Sequence, residues 1–367
     1  MEIPIFNTYI HPHATQKVED TLRSTFISEG KLVKEFESRL AAGLGLPHPV
    51  AVNSGTSALH LALVLAGIKE NDEVILPAQT FVATGLVILQ QKAVPVFADV
   101  DYDTGNISVA SLESKITPRT KAIIPVHWGG YPCDMDEILA IAKAHNLIVI
   151  EDAAHALGAT YKDTAIGSIS DYTCFSFQAI KHLTTGDGGA ISFLHKDNAR
   201  QALIKRWFGI DRDSAALSIL GERQYDIPEL GFKYHMNDYA AALGIANMEG
   251  YQTRLSARRG VAADYTDALA GVAGIRLFNY KNDRQSAWWL YGFHVERRED
   301  FIRALKSKGI TASVVHQRID RNSVFGGLNT DLHNQARFDD TQIHIPIHDD
   351  LDHEKVQYII KSIKEGW

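Results

Sequence analysis

The chain has 367 residues, 45% hydrophobic and 22% charged, which is enough for two or three domains with a large buried core and too apolar for a disordered chain. A formal charge of −7 leaves no basic footprint for nucleic acid or for an anionic membrane surface, so an anionic substrate needs locally placed Arg, Lys or backbone amides. Two cysteines, Cys133 and Cys174, exclude a disulfide framework. The opening MEIPIFNTYIHPH has no basic stretch leading into an apolar one, and no apolar run reaches membrane-spanning length, so a cytoplasmic protein is expected.

Residues 1–48 read as an entry segment and one amphipathic helix, KLVKEFESRLAAGLG, ending at Gly43 or Gly45. From residue 49 to about 194, short β-rich runs alternate with helical patterns. The strand candidates are PVAVN (49–53), EVILPA (73–78), VPVFADV (94–100), KAIIPVH (121–127), LIVIED (147–152), DYTCFSF (171–177) and GAISFL (189–194). Between them, TSALHLALVLAG and MDEILAIAKAHN repeat apolar residues at helical spacing. The second follows Asp134, whose carboxylate is expected to cap it, with Glu137 three positions on. This alternation predicts an α/β fold with right-handed βαβ units and a mostly parallel sheet covered on both faces. After about residue 250, the helical stretch YQTRLSARRGVAADYTDALAG leads to a strand in SAWWLYGFHV and a helix in EDFIRALKSKGI, a smaller α+β unit. The expected division is a large domain over 1–248 and a small one over 249–367.

Open sheets of this kind bind ligands at the carboxyl ends of their strands. Asn53, Gln79, Asp152 and Lys181 all fall at or just past such an end. The run Asn53-Ser54-Gly55-Thr56-Ser57 follows a strand and opens a helix. It reads equally as a plain N-cap and as a phosphate cradle made of backbone N–H groups and the hydroxyls of Thr56 and Ser57. No GxGxxG follows a strand with an acidic residue about 20 positions on, and no GxxxxGK[ST] occurs, which removes nicotinamide and P-loop chemistry. Lys181 lies in CFSFQAIKHLTTGDGGAISF between two apolar runs, where a solvated lysine is out of place, and Asp152 ends LIVIEDAAHA upstream. A strand-end carboxylate and a loop-held lysine are the two fixed points that pyridoxal phosphate (PLP) needs. The lysine forms the Schiff base, and the carboxylate keeps the pyridine nitrogen protonated. Asp152 alone reads equally as a turn or cap carboxylate. Phe81 reads as plain core or as a ring lying flat against a cofactor, and Ser176 gives a second phosphate hydroxyl if its strand directs it inward. The histidine groups His11/His13 and His344/His348, and His155 beside Asp152, form no helical HxxxH face with a carboxylate ligand, so no metal is expected.

Together, NSGTSAL, EDAAHA and SFQAIKHLTTGDGGAI resemble the DegT/DnrJ/EryC1/StrS family of PLP-dependent sugar aminotransferases. The resemblance continues through ISEGKLVKEFE, DVDYDTGNIS, PVHWGGYPCDMDEI, GFKYHMNDYAAALG and SAWWLYGF. It implies a fold-type I transferase with a seven-stranded large domain, a small C-terminal domain, and a homodimer with two shared active sites. By matching position it implies Lys181 as the Schiff-base lysine, Asp152 as the pyridinium partner, Gly55, Thr56 and Ser176 at the phosphate, and Phe81 on the ring. His155 stands where many relatives carry Gln beside the phenolic oxygen. GFKYHM is similar to a motif that reaches the partner subunit's phosphate, with Lys233 and His235 replacing Asn and Arg. Phe208 stands where relatives often carry His, and VVHQRIDRNSVFGG departs from the family's usual pattern.

The implied reaction is a ping-pong transamination. An amino acid, L-glutamate by resemblance, leaves its nitrogen on the cofactor as pyridoxamine phosphate while Lys181 carries protons. A keto-sugar, by resemblance a nucleotide-linked 4-keto-6-deoxyhexose, then takes up the amine. Arg212, His316, Arg318 and Arg321 are the candidates for the sugar's diphosphate. A related dehydratase activity requires histidine in place of the lysine, and a non-catalytic PLP-binding regulator would keep the same Lys181–Asp152 pair. Two cysteines cannot ligate an iron–sulfur cluster.

Overall fold

Seven of the apolar runs become the strands of one sheet in the computed structural model, which describes residues 2–367: β1 (Val50–Val52), β2 (Glu73–Pro77), β3 (Val94–Ala98), β4 (Thr120–Ile123), β5 (Ile148–Asp152), β6 (Tyr172–Ser176) and β7 (Gly189–Phe193). Their spatial order is β1-β7-β6-β5-β4-β2-β3. β2 to β6 pair in parallel, whereas β7 runs antiparallel to both β1 and β6. Successive side chains of a strand point to opposite faces. Ile75 and Phe175 accordingly join one apolar core, with Phe36, Ile138 and Ile245, while Leu76 and Cys174 join the other, with Leu61, Ile88 and Ile191. Burial on both faces explains the near-continuous apolar runs.

The entry segment holds a helix that its composition did not announce, α1 (Ala14–Arg23). Its stripe of Ala14, Val18, Thr21 and Leu22 is narrow, and only Ala14 and Thr21 of its ten residues are buried. Next comes α2 (Lys31–Leu44), closed by Gly45 in the left-handed conformation at φ 67°. The helices α3 (Gly55–Leu65) and α4 (Met135–His145) match the two helical patterns of the central region. Asp134 precedes α4 but does not cap it. Its carboxylate pairs instead with Lys281 Nζ at 2.7 Å and Arg284 at 2.8 Å, because two cations outcompete a backbone N–H for one carboxylate.

Beyond Met248, α5 (Tyr251–Leu269) leads to an antiparallel sheet of Ile275–Leu277, Tyr291–Val295 and Gln342–Ile345. Helices Arg298–Ser307 and His353–Lys364 bury Phe301, Leu305, Ile359 and Ile363 in its core. Ile3 belongs to this same core and bridges Ile310. The strand expected in SAWWLYGFHV starts only at Tyr291. The preceding SAWW is a loop stitched to the other unit, with the Ala287 N–H donating to Gly130 O (3.0 Å) and the Leu290 N–H to Gly129 O (3.1 Å). A Cβ on Gly130 would lie 2.7 Å from His155 O and 2.9 Å from Trp288 N, so glycine is what lets the backbones meet. No helix among the described residues is long and apolar enough to cross a membrane.

Candidate active site

The rim formed by the carboxyl ends of the parallel strands encloses a cavity of about 280 Å³. Gly55 and Thr56 line it from the start of α3, Phe81 from the loop after β2, Asp152 and His155 from the end of β5, and Ser176 and Lys181 from the end of β6 and its loop. Trp289 and His316 close it from the C-terminal unit.

At one end, Ser54 caps α3 by accepting the Ser57 N–H at 3.0 Å. The Ser57 hydroxyl donates to Asn53 Oδ1 at 2.6 Å and does not line the cavity. It belongs to the cap, and the phosphate role expected of it falls away. Gly55, Thr56 and Ser176 remain. A Cβ on Gly55 would sit 2.9 Å from the Ser176 Cβ and 3.2 Å from its Oγ, so the missing side chain keeps an open cradle at a helix N-terminus, the chemistry a phosphate needs. Gly55→Ala is expected to weaken PLP binding about ten-fold, roughly 1.4 kcal/mol, in an absorbance titration. Unchanged affinity would remove the phosphate from this cradle.

At the other end, period-two alternation separates the acidic pair of β5. Glu151 points into the core, fully buried, where it accepts from His127 Nε2 (2.8 Å) and Thr173 Oγ1 (2.8 Å). Asp152 points into the cavity. Its carboxylate accepts from Thr84 Oγ1 at 2.7 Å and from the Ala154 N–H at 3.1 Å. Burial pushes the Asp152 pKa up, while these two donors and the nearby Lys181 pull it back toward the anion.

Lys181 sits in the loop between β6 and β7, whose ends are tied by Phe177 N–H to Gly188 O (2.8 Å) and Thr185 N–H to Phe177 O (2.9 Å). Part of its surface faces the cavity, yet its amine is enclosed by protein, and burial lowers its pKa to about 7 against the raising influence of Asp152. The His155 ring stacks on Trp289 at 3.8 Å and 15°. Its Nδ1 is a buried polar atom with no partner among the described residues, and burial holds its pKa well below the usual range, so the imidazole is neutral. A cradle for an anion, a buried carboxylate, a partly neutral amine and an unpaired ring nitrogen around one cavity fit PLP.

His316 lies 5.3 Å from the Phe81 ring, and burial lowers its pKa to about 4. Its carbonyl accepts from Gln79 Nε2 (3.0 Å) and Gln342 Nε2 (3.3 Å), and Gln335 Nε2 donates to Gln79 Oε1 (2.9 Å). Gln79 is thus a buried tie between the end of β2 and the small sheet, and it does not line the cavity.

The other sugar candidates are elsewhere. Arg318 is buried and forms a two-point pair with Asp320, Nε to Oδ1 at 2.7 Å, so its charge is already matched. Arg321 is exposed and bonds Gln317. Arg212 pairs with Glu29 at 3.5 Å and lies over Trp207. Lys233 is exposed and outside the cavity, with its carbonyl accepting from Asn53 Nδ2 at 3.2 Å. Sequence reasoning missed Thr84 and Trp289. The paired tryptophans of SAWW were the one available signal for the latter. His11, His13 and Glu249 bring potential metal-ligating atoms within 4.8 Å of one another, and none of them lines the cavity.

The DegT/DnrJ/EryC1/StrS aminotransferase family matches residues 8–364. GDP-perosamine synthase of Caulobacter vibrioides is 38% identical over 321 residues, covering 86% of this chain and 84% of its own. AtS13 from Actinomadura melliaura superposes with a TM-score of 0.95 at 38% identity, covering 100% of both chains. The PLP form of the putative sugar aminotransferase Spr1654 from Streptococcus pneumoniae superposes at 0.91 and 32% identity, covering 100% of this chain and 98% of its own. With family, fold and cavity agreeing, the chain belongs to the DegT/DnrJ/EryC1/StrS family and is a PLP-dependent aminotransferase.

Proposed function

We propose that the protein moves an amino group from L-glutamate to the keto carbon of a nucleotide-linked 4-keto-6-deoxyhexose, in the making of an amino sugar for a surface glycan or secondary metabolite. The observation that carries this reading is the pairing, across one cavity, of an amine of depressed pKa with a buried carboxylate. The similarity to GDP-perosamine synthase supports a nucleotide-linked acceptor.

PLP, when bound, supplies the aldehyde carbon that takes the nitrogen and the ring that withdraws electrons. Gly55, Thr56 and Ser176 would hold its phosphate. Asp152 would pair with the ring nitrogen, Phe81 would cover the ring, and His155 would donate to the phenolic oxygen. Lys181 is the amine that would bond the aldehyde carbon, with loss of water. When free, its Nζ, neutral in part at pH 7, would take the proton from the substrate's α-carbon and return it to the cofactor carbon on the other side of the transferred nitrogen. His316 faces the acceptor. A second copy of the chain covers the exposed apolar side chains of Phe26, Leu217, Ile219 and Leu220, and its Lys233 approaches the phosphate as a point charge.

The test loads the protein with PLP and adds L-glutamate. The visible band is expected to disappear with one equivalent of 2-oxoglutarate formed. A panel of nucleotide-linked keto-sugars then identifies the acceptor by the mass change of amination. A protein that keeps its visible band with every amino donor is not a transaminase of this kind.

A further inference from the structure

Trp289 has no assigned part in the reaction, yet its ring lies directly against Lys181. Lys181 Nζ lies 3.6 Å from the indole ring centroid. The indole is fully buried and anchored by its own N–H, which donates to Ile180 O at 3.0 Å. On the other side of the lysine, His182 Nε2 donates to Ala287 O at 2.7 Å. The Trp289 loop is therefore clipped to the lysine loop at the residues immediately before and after Lys181. The backbone bonds of Ala287 and Leu290 to Gly130 and Gly129 hold the same loop from a third side. Such bracing fixes the ring relative to the backbone that carries Lys181.

An indole attracts a cation through the negative charge of its π face and offers nothing comparable to a neutral amine. The attraction strengthens when water is excluded. The other titratable groups near the amine are Asp152 from β5, His155 and His316 across the cavity, His182 beside it and Asp187 on the cavity wall. Burial keeps all three histidines neutral, so Asp152 and the Trp289 ring are what favour the ammonium against desolvation.

We propose that Trp289 is the resting place of the free Lys181 ammonium and, as a positioning residue, sets the fraction of Lys181 that stands unprotonated and ready to bond the cofactor. It holds the lysine within reach of the reacting carbons while the amino group rides on the cofactor. This rests on Lys181 being the cofactor-bonding amine.

The experiment uses the full chain freed of cofactor, with Trp289 replaced site-specifically by mono-, di- and trifluorotryptophan, which deplete the π face stepwise while nearly preserving ring shape. The rate of PLP capture is followed by visible absorbance against pH, and the adduct is fixed with borohydride and located by mass on the Lys181 peptide. The midpoint of the pH profile is expected to fall with each added fluorine, by about one pH unit, or ten-fold in the protonation equilibrium, over the series. A midpoint that does not move across folded variants overturns the proposal. Failure of the unsubstituted protein to form any adduct at Lys181 overturns the assignment of the lysine instead.

Discussion

Lys181→Met is expected to abolish covalent capture of PLP and to slow transamination by at least about 10⁴-fold, measured as single-turnover conversion with glutamate. One side chain supplies both the bond to the cofactor and the proton carrier, so no other group in the cavity replaces it. Methionine keeps the length and apolar stem of lysine and leaves little empty volume. The same substitution is expected to raise the melting temperature of the cofactor-free protein at pH 7. The amine titrates near 7 when folded and near 10.5 when unfolded. Between these values the unfolded chain holds a proton that the folded chain lacks, so stability from this group climbs as pH rises through the window. Its penalty is full below about pH 7 and gone above about 10.5. Methionine carries no such penalty, and the gain over the parent should shrink as pH approaches 10.5. A variant that melts no higher than the parent at pH 7 contradicts a buried, depressed amine.

Asp152→Asn is expected to leave PLP bonded to Lys181 while lowering conversion with glutamate by about 10²–10³-fold, the usual scale for removing one preorganised electrostatic group. Asparagine matches the shape and accepts from Thr84 or from the Ala154 N–H through its one carbonyl oxygen, but it brings no negative charge to hold a proton on the ring nitrogen. The visible band separates the two effects. Its loss would mean that Asp152 builds the pocket, and its retention with full activity would mean that another group balances the ring.

The large sheet was legible because β-branched runs buried on both faces carry their signal locally. Lys181, Asp152 and the Gly55 turn were legible for a related reason, since each stands at the end of such a run. What escaped depends on partners far along the chain. Asp134 was expected to cap α4 from its neighbours, but Lys281 claims it from 147 positions away. Trp289 reaches the lysine loop across a separation of 109. α1 hid because its stripe is narrow and weakly apolar: Ala14, Val18, Thr21 and Leu22 fall at helical spacing, but only the two small ones, Ala14 and Thr21, are buried. Arg318 misled in the opposite sense. Its counterion, Asp320, lies only two residues on, and a carboxylate so close is a readable sign that the arginine is already matched. The sequence singled out Asp152, and strand β5 adds the reason, with a cavity on the Asp152 side and a core on the Glu151 side.

The contact of Ile3 with Ile310 has a consequence for how the chain comes together during synthesis. Ile3 finds its apolar partner Ile310 only after some three hundred further residues have been made. The lysine, the carboxylate and the phosphate cradle need only the chain up to β7, which ends at Phe193 and joins β1 to β6, but the indole against the amine and the imidazole of the cavity wall arrive at 289 and 316. A nascent chain halted between those points holds the reactive groups in an open, wetted groove, and the late-arriving segments turn that groove into an enclosed chamber.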